Sequence, residues 1–195
     1  MFNIQAVQAD GEPTLSIPTT TQNVMNNSTF TVPNGSANAE SNDISALSFS
    51  LDFDSTCLTF DSVTDGNTDG IPDAVTGLPS GYVTIVTYDG NDKINFTLND
   101  QEQPQTELSD GVLVTFEFGV QSSCRTTDGT QPEVTFAFTS STYGNVLGAA
   151  VIGLATDGTY TLRFDAYPID AAMSQTAIDE NVALGTTVGT FTSSS

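Results

Sequence analysis

Histidine and tryptophan are absent from these 195 residues, and only Lys93, Arg125 and Arg163 are basic. Without histidine no Ser-His or Cys-His nucleophile can be built, and no His/Cys cluster of zinc spacing exists. A glycine-rich loop ending in Lys-Ser or Lys-Thr is also missing, which removes the usual phosphate cradle. Three cations against 24 acids leave a formal charge of -21, which repels phosphate backbones and anionic lipid surfaces and excludes nucleic-acid binding. The longest nearly apolar run, residues 146–155, is about half of the ~20 residues that cross a bilayer; it reads as a pair of core strands, not as a membrane insertion. Glu102, Glu107, Glu117 and Glu133 would allow two-carboxylate glycoside hydrolysis, yet nothing around them separates them from surface acids. The chain is read as not being an enzyme.

Thr, Ser, Asn, Asp and Gly crowd the sequence where a helical protein would carry Lys, Arg and Glu, and that composition favours strands and turns. Alternating or apolar strand-like segments fall at 14–17, 29–32, 44–53, 57–63, 82–87, 93–98, 111–120, 134–139 and 159–164. About nine short strands at this spacing predict an all-β, two-sheet sandwich of jelly-roll type. In the third segment Ile44, Phe49, Leu51 and Phe53 alternate with Ser48, Ser50 and Asp52, so one face is apolar and the other wet. Asp89-Gly90-Asn91-Asp92 predicts a hairpin, and Asp128-Gly129 and Asp157-Gly158 predict further reversals. Cys57 and Cys124 fit one disulfide of an extracellular protein, or two buried thiols; a disulfide would close a loop of 67 residues and contribute roughly 4 kcal/mol.

Residues 64–80 break the alternation, being rich in Asp, Gly and Pro. Calcium takes six to eight oxygens, and a loop supplies them when carboxylates or amides occupy positions 1, 3 and 5, a glycine turns the chain at 6, and a carbonyl follows at 7. Asp65, Asn67, Asp69, Gly70 and Ile71 fill those places, and Asp73 falls at position 9. Thr76 stands where a helix-loop-helix site carries its bidentate glutamate at position 12. The string resembles the calcium repeats of thrombospondin type 3, in which a nearby carboxylate completes the shell. The expected cofactor is Ca2+, with an exposed turn capped by its own Asp and Asn side chains as the alternative. Asp52 with Asp54 and Asp89 with Asp92 read as solvated surface pairs. So large an acid excess needs counter-ions, and calcium and a salty medium both supply them.

Two family resemblances follow. The run Ile44-Ser45-Ala46-Leu47-Ser48-Phe49-Ser50-Leu51-Asp52-Phe53-Asp54-Ser55 resembles the strand pair of cohesin modules, with Phe53-Asp54-Ser55 standing where that family has Tyr-Asp-Pro. Lys93-Ile94-Asn95-Phe96-Thr97-Leu98, Gly111-Val112-Leu113-Val114-Thr115-Phe116 and Asp157-Gly158-Thr159-Tyr160 resemble its later strands. The likeness runs from about 13 to 164 and implies a nine-stranded sandwich that binds partners through one sheet face. In that family the partner is a dockerin. The segment 174–191 resembles the opening of a cadherin-like repeat, in which the glutamate matching Glu180 helps ligate calcium between modules. The expected organisation is a lead-in over 1–12, a sandwich over 13–164 with a loop insertion at 64–80, and a linker with an opening strand over 165–195.

Together these features predict a non-catalytic, extracellular interaction or adhesion module of a microbial surface protein, stabilised by calcium. Its partner would be dockerin-like, a neighbouring module or a second copy. A filament subunit assembled by exchange of the C-terminal strand is one alternative. A carbohydrate-binding module is another, with Tyr82, Tyr88 and Tyr143 as the aromatic platforms for a polysaccharide.

Overall fold

Apolar side chains on alternate residues can be hidden together only if two sheets face each other, and that is the arrangement adopted. The computed structural model describes residues 11–126 and 130–164, and the backbone of 170–173 and 191–194. Its strands are β1 (Thr14–Ser16), β2 (Thr20–Val24), β3 (Thr29–Ala37), β4 (Ile44–Asp52), β5 (Leu58–Thr59), β6 (Val75–Thr76), β7 (Tyr82–Tyr88), β8 (Lys93–Asp100), β9 (Gly111–Val120), β10 (Glu133–Asn145), β11 (Ala150–Val151), β12 (Leu154–Thr156) and β13 (Gly158–Phe164). A six-stranded sheet has the order β12-β1-β3-β9-β5, with β6 also on β9. A seven-stranded sheet has the order β2-β13-β10-β4-β8-β7, with β11 on β10. The long pairings β3–β9, β4–β8, β4–β10 and β7–β8 are antiparallel, while β1 and β12 run parallel. Among the described residues no helix is long and apolar enough to cross a membrane.

Rings fill the space between the layers. Phe49 of β4 lies opposite Phe96 of β8, stacked at 4.9 Å between centroids, and both meet Phe116 of β9 edge-on at 6.2 and 6.1 Å. Phe118 touches Phe136 at 4.9 Å and Phe53 at 5.0 Å, and Phe30 reaches Tyr160 at 5.7 Å. Phe96, Phe116, Phe118 and Phe136 are fully buried, each side chain stabilising the fold by about 1.5–3 kcal/mol relative to exposure. At one end Cys57 and Cys124 form a disulfide across 67 residues. Beside it Gln121 donates through Nε2 to the carbonyls of Ser55 at 2.7 Å and Leu58 at 3.0 Å. The covalent bond and these side-chain bonds fasten the chain before β5 to the end of β9.

Several expectations need correction. Residues 146–155 are not a pair of core strands: Leu147 and Ile152 are 87% and 81% exposed. Asn145 forces a tight turn there, its Oδ1 accepting the amides of Leu147 at 3.1 Å and Ala149 at 2.9 Å, and β11 and β12 that follow are short. The segment at 57–63 holds only the two-residue β5, because Asp61 accepts the amides of Val63 and Thr64, each at 3.0 Å, and bends the chain away. Conversely, β3 continues past Pro33 to Ala37, with a register shift between Asn34 and Gly35. Proline is tolerated beside such an irregularity. β10 extends to Asn145 because its polar Ser140 and Thr142 face Ser50 and Ser48 of β4. β2 and β6 fall outside the expected strand segments, β6 lying inside the segment read as loop, while β11 and most of β12 fall within residues 146–155. At Asp157-Gly158, expected as a reversal, the chain crosses between the sheets, since β12 belongs to one and β13 to the other. A Cβ on Gly158 would collide with Ile17.

Contacts divide the chain into two units, Met1–Arg163 and Phe164–Ser195. In the second, β14 (Asp170–Met173) pairs antiparallel with β15 (Phe191–Ser194). The reversal expected at Asp128-Gly129, the calcium ligand expected at Glu180 and most of the cadherin-like segment lie outside the described residues.

The disulfide yields a direct expectation. The double substitution Cys57→Ser/Cys124→Ser should lower unfolding free energy by roughly 4 kcal/mol, the entropy of a free 67-residue loop, measured by urea denaturation.

Candidate docking face and acidic loop

The wet half of the alternation on β10, β4, β8 and β7 lies on one continuous sheet face. Ser140 donates to Ser50 at 3.0 Å, Ser50 donates to Asn95 Oδ1 at 2.7 Å, and Asn95 Nδ2 donates to Thr87 at 3.4 Å. One line of hydrogen bonds thus crosses all four strands. A second rung joins Ser48 and Thr97 at 3.0 Å. Lys93 lies 3.6 Å from Asp52, an exposed pair contributing little to stability. A depression of about 380 Å3 on this face is lined by Ala46, Ser48, Thr97, Gly144 and Ala149 among others. A Cβ on Gly144 would lie 3.3 Å from the Ala46 methyl, a tight contact that the neighbouring strand would have to relieve. Exposed Val83 and Ile85 of β7 make an apolar fringe. The sequence reading assigned none of these residues. The available signal was the run of small hydroxyls and amides, Ser48, Ser50, Asn95, Thr97, Ser140 and Thr142, at alternate positions of three strands in a chain of charge -21.

Behind β8 the chain turns on a buried carboxylate. Asp100 is 1% exposed, and its Oδ1 accepts the Glu102 amide at 2.8 Å while its Oδ2 accepts the Thr106 amide and hydroxyl at 2.5 and 2.9 Å. The Thr106 and Glu102 amides hold its carboxyl below the ordinary carboxylate range, against the opposing effect of burial. Tyr82 donates to the Thr106 carbonyl at 2.7 Å. Burial, helped by the charges of Asp100 and Glu107, pushes its phenol up to about 12.

The acidic loop folds around its own side chains. Asp65 accepts the amides of Asp69 at 3.2 Å and Gly70 at 2.9 Å. Asn67 accepts the Asp69 amide at 3.2 Å and donates to Asp69 Oδ2 at 2.9 Å. Asp69 Oδ1 accepts the Ile71 amide at 2.8 Å, and Asp73 accepts the Gly66 amide at 3.1 Å. The structure therefore brings Asp65, Asn67 and Asp69 into one network, carries Ile71 at its end and turns Asp73 onto Gly66. Among the described residues no three acidic side chains gather as a ready metal cage. The donor set nevertheless fits a hard cation. All its groups are oxygens, and a carboxylate oxygen that accepts one amide keeps a second lone pair. In each of the other acidic pairs one member caps a turn: Asp54 accepts the amide and hydroxyl of Thr56, and Asp89 Oδ1 takes the amides of Asn91, Asp92 and Lys93 at the β7–β8 turn.

The polysaccharide platform expected of Tyr82, Tyr88 and Tyr143 is not formed. Tyr143 is buried, and all three phenols are engaged by backbone carbonyls, of Thr106, Asn91 and Leu154 respectively.

A two-layer sandwich with one open polar sheet face can be compared with known families. The Cohesin domain model matches residues 13–156, most of the chain. The chain belongs to the cohesin family. Cohesin modules are non-catalytic protein-interaction domains, which places residues 13–156 among such modules. The fold is similar to the sixth cohesin of Acetivibrio cellulolyticus scaffoldin B, solved with a mutant Cel5 dockerin, at 20% identity over 78% of this chain and 100% of that one, TM-score 0.59. A Clostridium thermocellum cohesin in a type I cohesin–dockerin complex is 17% identical over 82% of this cohesin and 99% of its own chain, TM-score 0.60. A non-cellulosomal cohesin of the archaeon Archaeoglobus fulgidus is 15% identical over 78% of this chain and 91% of its own, TM-score 0.55. At such identities the likeness concerns the fold. No curated protein matches the sequence.

Asp100 sets a pH expectation for this cohesin. Its folded pKa lies below the unfolded value of 3.8, so its contribution is complete above that value and is lost as pH falls through the folded pKa. Asp100→Asn should be less stable than the parent at neutral pH, and the difference should shrink in acid. Urea midpoints at about pH 7 and about pH 3 measure it.

Proposed function

We propose that this cohesin is a docking module of an extracellular microbial protein, that it receives a protein partner of dockerin type on the outer face of β10-β4-β8-β7, and that its acidic loop is braced by calcium. The hydrogen-bonded ladder from Ser140 through Ser50 and Asn95 to Thr87 carries this reading. Side chains already tied to one another lose little freedom when a partner lands on them, which lowers the entropic cost of association. A polar face with an apolar fringe at Val83 and Ile85 supplies both hydrogen bonds and buried area. Two of the similar cohesins were solved bound to dockerins, which supports a partner of that type. The disulfide supports a location outside the cytoplasm. A charge of -21 favours a cationic partner, whose association rate would fall as salt rises.

Thr97 sits at the middle of the face, half-buried, paired with Ser48. Calorimetric titration of the full chain against a set of dockerin modules should find one that binds, and Thr97→Arg should weaken it at least about 100-fold, or ~2.7 kcal/mol. No binding by any dockerin, or equal binding by the variant, contradicts the reading.

Calcium is tested on the module without a partner. At about 100 times its dissociation constant the ion should add roughly 2.7 kcal/mol, raising the unfolding temperature of the parent and not that of Asp65→Ala/Asp69→Ala. Sodium chloride at matched ionic strength separates this from screening of the acid excess. An equal shift from both salts would remove calcium from the account.

A further inference from the structure

The seven-stranded sheet ends on β7, and among the described residues that edge is open. Among the described residues the backbone of Tyr82–Tyr88 bonds to no element except β8. The other outer strands are shorter: β2 has five residues, β12 three and β5 two. Sheet edges are normally protected by charge, proline, a bulge or brevity. β7 has none of these, for it is seven residues long, uncharged, free of proline and in unbroken register with β8. All its residues are β-branched or aromatic, the types that pair best in sheets. The side chains confirm an unfinished edge: Val83 and Ile85 are 44% and 55% exposed on the outer face, and the inward Thr84 and Val86 are only half-buried.

The sequence of the strand also matches itself. Read antiparallel about Ile85, Tyr-Val-Thr-Ile-Val-Thr-Tyr sets Tyr82 against Tyr88, Val83 against the similarly shaped Thr87, Thr84 against Val86, and Ile85 against Ile85. Residues facing outward meet residues facing outward, and inward ones meet inward ones, as a two-fold axis through the sheet demands. The same register places Asp89 opposite Gly81, so no acid faces an acid along the seam. In a chain of charge -21, an uncharged edge is where two copies can approach at least electrostatic cost.

We propose that two copies of this chain associate through β7, antiparallel about Ile85, joining their seven-stranded sheets into one and setting their outer faces side by side. This inference does not depend on the dockerin reading. A seam seven residues long is smaller than a standard interface of about 1,600 Å2, so the dimer is weak and fills in the range of roughly 1 µM to 1 mM.

Sedimentation velocity of the full chain over that range, in about 0.5 M sodium chloride to screen the acid excess, should show a concentration-dependent dimer. Ile85→Lys, at an exposed position, sets two cations together on the axis and should weaken it at least about 10-fold while the melting curve is unchanged. A second variant guards against misfolding. Both native cysteines are in the disulfide, so Ile85→Cys supplies the single free thiol, which on mild oxidation should link two chains. Thr21→Cys on the β2 edge should not. A parent that stays monomeric throughout, or cross-linking that is equal from the two positions, overturns the proposal. So does a dimer that a folded Ile85→Lys leaves intact, which would assign association to another surface such as the C-terminal segment.

Discussion

Phe30, Phe49, Phe53, Phe60, Phe96, Phe116, Phe118, Phe136 and Phe138 form, with Tyr88 and Tyr160, one connected set of ring contacts between the two sheets. Rings prefer edge-on or offset packing, so the layer holds both sheets at one spacing and in one register. A slip of β4 by one residue would turn Phe49 to water and Ser48 into the core. The strands are therefore pinned from within. The disulfide and the Asp100 carboxylate only fasten the connections at the ends of the sandwich.

Pinning from within frees the outside. Because Phe49, Phe96 and Leu98 hold β4 and β8 in place, Ser48, Ser50, Asn95 and Thr97 need contribute no packing to the fold. They bond to one another across the strands and leave a polar surface, with Lys93 and Asp52 paired on it, in a highly acidic protein. The same logic explains β7. Its inner side chains lie at the border of the ring layer and are only half-buried, and among the described residues its edge is unpaired. Binding face and open edge are both products of one core.

Period-two alternation made the skeleton legible in the sequence. The segment 111–120 coincides with β9, and β4, β8 and β13 lie within a residue or two of their expected bounds. Asp89-Gly90-Asn91-Asp92 is the β7–β8 turn, since each change there is local chemistry. Apolar composition misled at 146–155, where Asn145 and a glycine impose a turn that leaves Leu147 in water. The two-residue β6 escaped because it exists only by pairing with the distant β9. The wet face was visible as polar positions, but its continuity across four strands depends on register, which no single segment encodes. The loop at 65–73 was found as a motif, and the structure adds how its carboxylates are spent on its own amides.

Neighbouring residues on β8 offer the most direct trial of the claim that rings hold the fold and leave the outer face free. Urea denaturation midpoints of Phe96→Ala and Thr97→Arg should differ sharply. The first removes a ring from the layer and should cost about 3–5 kcal/mol. The second changes only the outer face and should cost about 1 kcal/mol or less, the value of its hydrogen bond to Ser48. Comparable losses from the two substitutions would mean that the outer face is itself packed, and would contradict the account.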